Sequence, residues 1–399
     1  MLVAHLADLH LGRKSLGDSQ GAERLNSLRQ AVAALAAHRP DAFVIAGDSF
    51  DSPHVEQAVI EEAATILAAA RNADGEAIPI VLIPGNHDPA DADRLWAAFE
   101  TALLSASLVP ASLASASSAS PCNVHLVREP RVVELADGKL LVEAYPCATR
   151  FSTEPPWETR LSVAQTVGQN ADQAVRVVVA HGTLLGGPVP EDETDAYPFT
   201  LADVQSLGAD YVALGHFHGL YPAWGDGDEC QRACTYSGTH EPDQFSGETG
   251  YAILATVSAG GPTRLRRVKV GRREWRRVVL ACPADLSQVE RLLAEIRDDT
   301  PPRYVIRLDV RSRVGWPPAE AHRLYGLEQS LLTLGAQVER RGDIRPWVDV
   351  QSLDLAGLPS GAVKEALLSL QRDLGCREGT DREVLTAALQ VGWEKLHES

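Results

Sequence analysis

The stretch Ile80-Val81-Leu82-Ile83-Pro84-Gly85-Asn86-His87-Asp88 decides how the rest of the chain is read. Its apolar, mostly β-branched start behind Pro79 predicts a buried strand, and Pro84-Gly85 ends that strand sharply. The chain then delivers a neutral oxygen donor, an imidazole and a carboxylate in succession, which is more than turn chemistry needs. Four other stretches repeat the pattern. Leu2 to Ala7 runs into Asp8-Leu9-His10, and Ala42 to Ala46 into Gly47-Asp48. Val175 to Ala180 runs into His181-Gly182, and Tyr211 to Gly215 into His216-Phe217-His218. In an open α/β sheet, ligands bind beyond the carboxyl ends of the strands. Each of these predicted strands therefore carries metal-type side chains at the end where a site would form. Asp8/His10 and His216/His218 are each two residues apart, so in an extended chain both members of a pair face one side.

Composition sets the bounds. A chain of 399 residues, 45% hydrophobic and 23% charged, is globular and long enough for more than one domain. No run approaches the length of a membrane span, and a strand starting at Leu2 argues against a cleavable signal peptide. Six scattered cysteines do not suggest a disulfide framework, and the chain is expected to be cytoplasmic. A formal charge of −17 excludes a globally basic nucleic-acid binder. It leaves room for a local basic surface or a metal-centred phosphate site.

Along the chain, Leu25, Leu28, Val32 and Leu35 predict a helix over 24–38, and Ser52-Pro53 predicts the start of a second helix. The first ninety or so residues thus read β-α-β-α-β, the pattern of a layered α/β domain. A helix is expected over 95–104 and an Ala/Ser-rich loop over 105–120. Hairpins are expected around Asp137-Gly138 and Gly260-Gly261, and a solvated acidic loop at Glu191 to Asp195. From Trp275 the pattern changes to a second β-α-β-α-β set. A linker over 347–359 and two terminal helices, 363–370 and 382–396, follow. The expected division is 1–274, 275–346 and 347–399.

Two divalent metals about 3.5–4 Å apart can clamp a phosphate ester and activate a water. Asp48 is the natural carboxylate to bridge them. Asp8, His10 and His218 would complete one ion, and Asn86, His181 and His216 the other. Imidazoles with few carboxylates suit manganese, iron or zinc better than calcium. Two such ions against two carboxylates leave the site net positive, as a phosphate requires.

In order, Asp8-Leu-His10-Leu-Gly, Gly47-Asp48-Ser-Phe-Asp51, Gly85-Asn86-His87-Asp88, His181-Gly182 and Gly215-His216-Phe-His218 resemble the motifs of calcineurin-like metallophosphoesterases. Within that superfamily they look most like the SbcD-type DNA repair exonucleases, including the YhaO-like bacterial branch. The motifs cover residues 1 to about 220, and Tyr236-Ser-Gly with Phe245 and Tyr251 extends the likeness to about residue 275. The resemblance implies a layered β-sandwich flanked by helices, a small α/β capping domain and C-terminal helices. It also implies the seven ligands above, with two divalent ions, manganese first. His87 would face the scissile phosphate and help protonate the leaving oxygen while a metal-bridging hydroxide attacks. Asp51 and Asp88 would orient imidazoles. The implied activity is a DNA nuclease, with DNA and a coiled-coil ATPase of the SbcC or YhaN kind as partners and a homodimer left open. The alternative is a phosphodiesterase acting on a small-molecule phosphoester. Protein phosphatases are disfavoured, because Ser52 and Asp88 stand where that branch carries Arg and Glu.

Bland readings hold elsewhere. His5 is expected in the core, and His54 and His125 as surface or packing residues. Cys230-x-x-x-Cys234 with His240 lacks a completing pair for zinc. The basic run from Arg264 to Arg277 could follow a phosphate backbone or form a charge-protected edge strand. The terminal helices could dock a partner or pack on the body.

Overall fold

A computed structural model describes residues 1–14, 21–108, 122–158, 161, 173–188, 196–224, 227–245, 247–298, 303–312, 315–344, 353–355, 357–358, 360–376 and short pieces between 384 and 393. The stretch 109–120, the acidic loop 191–195 and most of the expected linker lie outside them. Two compact units divide the chain, Met1–Arg273 and Glu274–Ser399.

The first unit begins β1 (Leu2–Leu6), α1 (Ala22–Ala36), β2 (Ala42–Ala46), α2 (Gln57–Ala68), β3 (Ile80–Ile83), α3 (Asp93–Leu108) and β4 (Val124–Leu126). It continues β5 (Arg131–Leu135), β6 (Leu140–Tyr145), β7 (Val175–His181), α4 (Leu201–Ser206), β8 (Tyr211–Gly215), β9 (Glu229–Gln231), β10 (Cys234–Tyr236), β11 (Tyr251–Thr256) and β12 (Arg264–Lys269). These strands form two sheets, ordered β4-β3-β2-β1-β11-β12-β9 and β10-β8-β7-β6-β5. The strands that carry the polar motifs are therefore split between two sheets rather than aligned along one. Both predicted hairpins are present, as antiparallel β5–β6 and β11–β12.

Period-two alternation builds the layers. Ala4, Leu6, Phe43, Ile45 and Leu82 point toward the core made with α1, α2 and α3. Val3, Val44, Val81 and Ile253 point the other way and pack against Val142, Val177 and Ala213 of the second sheet. A third apolar layer of Tyr145, Val178, Val212, Leu214, Trp157 and Phe199 covers the far face of that sheet. The fold is thus a β-sandwich with helices outside it.

Two boundaries differ from expectation. Helix α2 starts at Gln57 after Glu56, with no side-chain cap, because Ser52 to His54 belong to a turn that follows Asp51. Helix α3 runs to Leu108, so residues 105–108 are helical rather than loop. The second unit carries all but the first residue of β13 (Arg273–Leu280), then α5 (Leu286–Asp298), β14 (Arg303–Val310), α6 (Pro318–Thr333), β15 (Gln337–Arg341) and α7 (Ala362–Leu374). Its sheet is ordered β13-β14-β15. Leu355, Leu367, Leu374 and Leu389 form a separate small cluster within it. No helix among the described residues is long and apolar enough to cross a membrane.

Candidate metal centre

The polar residues leave their strands through unusual backbone. Asp8 (φ 52°), His10 (φ 44°), Asp48 (φ 51°) and His216 (φ 113°) all have positive φ. Asp and His tolerate this region better than most residues, but it still costs on the order of 1–3 kcal/mol each. Hydrogen bonds between the two leading loops hold it: Asp8 N donates to Gly47 O (3.1 Å) and His10 N to Asp48 O (2.9 Å). Glycine is required where the loops meet. A Cβ on Gly85 would overlap the backbone N and side chain of Asp48, and one on Gly215 would overlap the Ala46 carbonyl.

The side chains converge around Asp48. Its Oδ2 lies 3.5 Å from His10 Nε2 and 3.5 Å from His181 Nε2, between the two groups expected from the sequence. Asp8, His10 and His218 form one cluster, Asp8, Asp48 and His181 a second, and His10, Asp48 and His87 a third, each with ligand atoms within 4.8 Å of one another. Asn86 Oδ1 lies 2.9 Å from His181 Nε2 and 3.3 Å from His216 Nδ1. Asp8 Oδ1 accepts from His216 N (2.9 Å), while Asp8 Oδ2 is buried without a partner among the described residues. All seven expected ligands are brought together.

The partners behind the imidazoles fix their tautomers. His181 Nδ1 donates to the Ala46 carbonyl (2.9 Å), His10 Nδ1 to Asp51 Oδ1 (3.1 Å) and His218 Nδ1 to Asp243 Oδ2 (3.0 Å). Each of these rings, in its neutral form, would turn an Nε2 lone pair inward. His10 Nε2 and His218 Nε2 face each other at 3.0 Å, a contact two lone pairs cannot make without an electrophile between them. With the orphaned Asp8 oxygen, this donor set fits divalent cations.

Electrostatics agree. Burial holds His10 well below the usual imidazole range and His216 at about 3, so both stay neutral. Burial lifts Asp8 to about 6, against the pull of His181 and His218. Burial would lower His218 too, but the Asp243 hydrogen bond and charge outweigh it and raise the ring. A proton on His218 can then bridge to His10, standing where a cation would.

His87 shares the third cluster with His10 and Asp48, its ring 4.8 Å from that of His10 and its Nδ1 3.0 Å from the Asp51 carbonyl. Its backbone N donates to Asp48 Oδ1 (2.8 Å). Asp88 is buried away from the imidazoles. Its oxygens accept from Gly85 N (2.7 Å) and Phe50 N (2.9 Å), so it ties two motif loops together instead of orienting a ring. Burial raises its pKa well above the usual carboxylate range. Asp51 does contact a ring, with Oδ1 3.1 Å from His10 Nδ1. Asp243, unanticipated from the sequence, backs His218 and pairs with Arg13 and Arg24. No motif marks it, and its one signal is its place just beyond Tyr236-Ser-Gly.

His5 is buried against Tyr211 OH (2.8 Å), His54 is exposed and His125 half-buried. His240 spends Nε2 on the Arg24 carbonyl (2.9 Å) and joins no metal-type cluster with Cys230 or Cys234 among the described residues. Much of the basic run is neutralised. Arg267 pairs with Asp228 and Glu248, Arg273 with Glu241, Arg276 with Glu274 and Arg277 with Asp309. β12 is not an edge strand, since β11 and β9 flank it.

Over 397 aligned residues the chain is 27% identical to the SbcD component of the SbcCD nuclease of Bacillus subtilis (strain 168), covering 89% of this chain and 90% of that protein. The sequence profile of the calcineurin-like phosphoesterases matches residues 1–220, which carry every motif residue of the cluster. The chain belongs to the calcineurin-like phosphoesterase family, with an Asp/His cluster suited to divalent metal ions.

Proposed function

We propose that this protein is a DNA nuclease that hydrolyses phosphodiesters with two divalent ions, manganese first. The observation that carries the metal chemistry is the inward-facing acceptor set around Asp48, including two imidazole nitrogens 3.0 Å apart. Asp8, His10 and His218 would hold one ion and Asn86, His181 and His216 the other, with Asp48 shared. Bound there, the ions would polarise a phosphoryl oxygen and lower the pKa of a water.

The chain's own residues supply the rest. The Asp51 carbonyl accepts from His87 Nδ1, so that nitrogen keeps its hydrogen. A proton taken up at Nε2 can then pass to the leaving oxygen. Asp51 and Asp243 keep His10 and His218 in the tautomer that presents Nε2. Asp88 holds the Gly85 and Phe50 loops at one separation, which sets the distance between Asp48 and Asn86.

DNA as substrate rests on the relative named as part of a nuclease, which aligns along nearly all of both chains. The same name supports a second component, in this reading a coiled-coil ATPase gripped by the C-terminal helices of a cytoplasmic complex. A net charge of −17 fits that division, because an acidic chain needs a partner for much of its DNA affinity. The domain plan is a nuclease body over 1–274, a capping domain over 275–346 and a docking tail over 347–399.

The test is cleavage with manganese of linear duplex DNA, hairpin DNA and a chromogenic phosphodiester. All three should be cut, and a chelator should stop each reaction. Cleavage of the chromogenic diester alone, with the partner present, would transfer the assignment to small-molecule phosphodiesters.

A further inference from the structure

Asp243 lies outside every motif, yet its Oδ2 accepts from three donors: His218 Nδ1 at 3.0 Å, Arg24 Nη2 at 3.0 Å and Arg13 Nη1 at 2.9 Å. Its carboxylate is almost completely buried, and Oδ1 has no partner among the described residues. The turn that carries it is strapped to the site. Thr239 N donates to the His218 carbonyl (2.9 Å), and Gly238, at φ +67°, leaves no room for a Cβ beside that same oxygen. Arg24 is buried in α1 and also reaches Leu9 O (2.8 Å) and Thr239 Oγ1 (3.1 Å). One guanidinium thus ties α1, the Asp8–His10 segment and the 237–243 turn together.

We propose that Asp243 is a positioning residue of the metal centre, an inference that rests on the two-ion reading above. It holds His218 in the Nδ1–H tautomer with Nε2 turned toward Asp8 and His10, while Arg24 and Arg13 keep the carboxylate in place. Asp51 does the same for His10 from the solvent side, with Arg13 Nε 4.0 Å away. Both imidazoles expected on one ion are therefore backed by carboxylates, whereas His181 is backed by a carbonyl. A carboxylate behind a ligating imidazole fixes its orientation and raises its basicity. Losing such a partner costs about 10–100-fold in metal affinity.

The experiment measures Mn²⁺ binding to the full chain by calorimetry, without nucleic acid. Asp243→Asn, nearly isosteric, should bind about 10–100-fold more weakly. In a His218→Ala background the same change should cost little more, because the ring it positions is gone. An equal loss in both backgrounds would make Asp243 only a structural partner of Arg24 and overturn the proposal, as would no loss at all. If the asparagine variant does not fold, ¹⁵N-histidine spectra of the metal-free native chain at pH 8.5 decide. A proton on His218 Nδ1, assigned by its disappearance in His218→Ala, supports the proposal, and a proton on Nε2 overturns it. A native chain that binds no Mn²⁺ would remove the metal-centre reading itself, a result distinct from unchanged affinity in the variant.

Discussion

Replacing Asp8 by asparagine should stabilise the metal-free protein while weakening its response to metal. Asp8 is fully buried and its pKa is lifted from 3.8 to about 6, chiefly by desolvation. In the unfolded chain the carboxyl loses its proton near 3.8, whereas in the fold it keeps it until about pH 6. Between those values the native state binds more protons, so raising the pH destabilises it. At about 1.4 kcal/mol per pKa unit, the penalty reaches about 3 kcal/mol above pH 6 and vanishes below the unfolded value. Asparagine carries no such charge. It tolerates the left-handed backbone at this position and retains an oxygen for the His216 N–H. Thermal and urea unfolding in chelator at pH 4.5, 6 and 7.5 would measure the difference between Asp8→Asn and the native chain. It should grow with pH toward about 3 kcal/mol. His10 and His216, held neutral in both proteins, cancel in that difference, whereas His218, raised in part by the Asp8 charge, does not and opposes it wherever both are charged. With Mn²⁺ at 100 times its Kd the native chain should gain about 2.7 kcal/mol, and the variant far less. A difference that does not change with pH, or a variant less stable in chelator at pH 7.5, would refute the assignment of Asp8 as a charge held in place for a cation.

The same groups set the pH dependence of metal binding. Asp8 must lose its proton and His218, raised by Asp243, must lose its own. The apparent Kd for Mn²⁺ should therefore rise at least tenfold per unit below pH 6, readable by calorimetry at fixed ionic strength. If its ring carries a proton rather than a metal, His87→Ala should keep its bound metal but lose about 10²–10⁴-fold in turnover of a small phosphodiester, and loss of Mn²⁺ affinity in the variant would make His87 a ligand. Normal turnover in a stopped assay would end that role. Gly215→Ala places a Cβ on the Ala46 carbonyl and should cost about 1–3 kcal/mol or more in unfolding free energy. Deleting residues 355–399 removes nearly all of the Leu355–Leu389 cluster of the second unit. Small-diester cleavage should survive and co-purification with the ATPase should be lost, and an intact complex would reject the docking tail.

The residues that meet at the centre were legible because each motif is local: a strand, a break, and a polar side chain on the far side of it. What a strand end displays can be read without knowing its neighbours. Which sheet the strand joins cannot. β1, β2 and β3 and, in the other sheet, β7 and β8 are buried on both faces. Near-continuous apolar runs carry no sidedness to tell one layer from the other. β4, β9 and β10 have three residues each, too few to show a period.

The misplaced start of α2 has a different origin. Ser52-Pro53 has good capping chemistry, but the chain there is held by Asp51, whose side chain bonds His10 and whose carbonyl bonds His87. Helix propensity yields where the site needs the backbone. Asp243 is the extreme of the same effect. It reaches His218 from 25 residues away, through a turn with no periodicity, and its identity matters only because an imidazole already stands in front of it. The groups that converge on Asp48 sit just beyond strand ends and so leave a local signature. Groups that decide which nitrogen of a ring carries the proton can come from any segment that passes behind it, and only the folded chain reveals them.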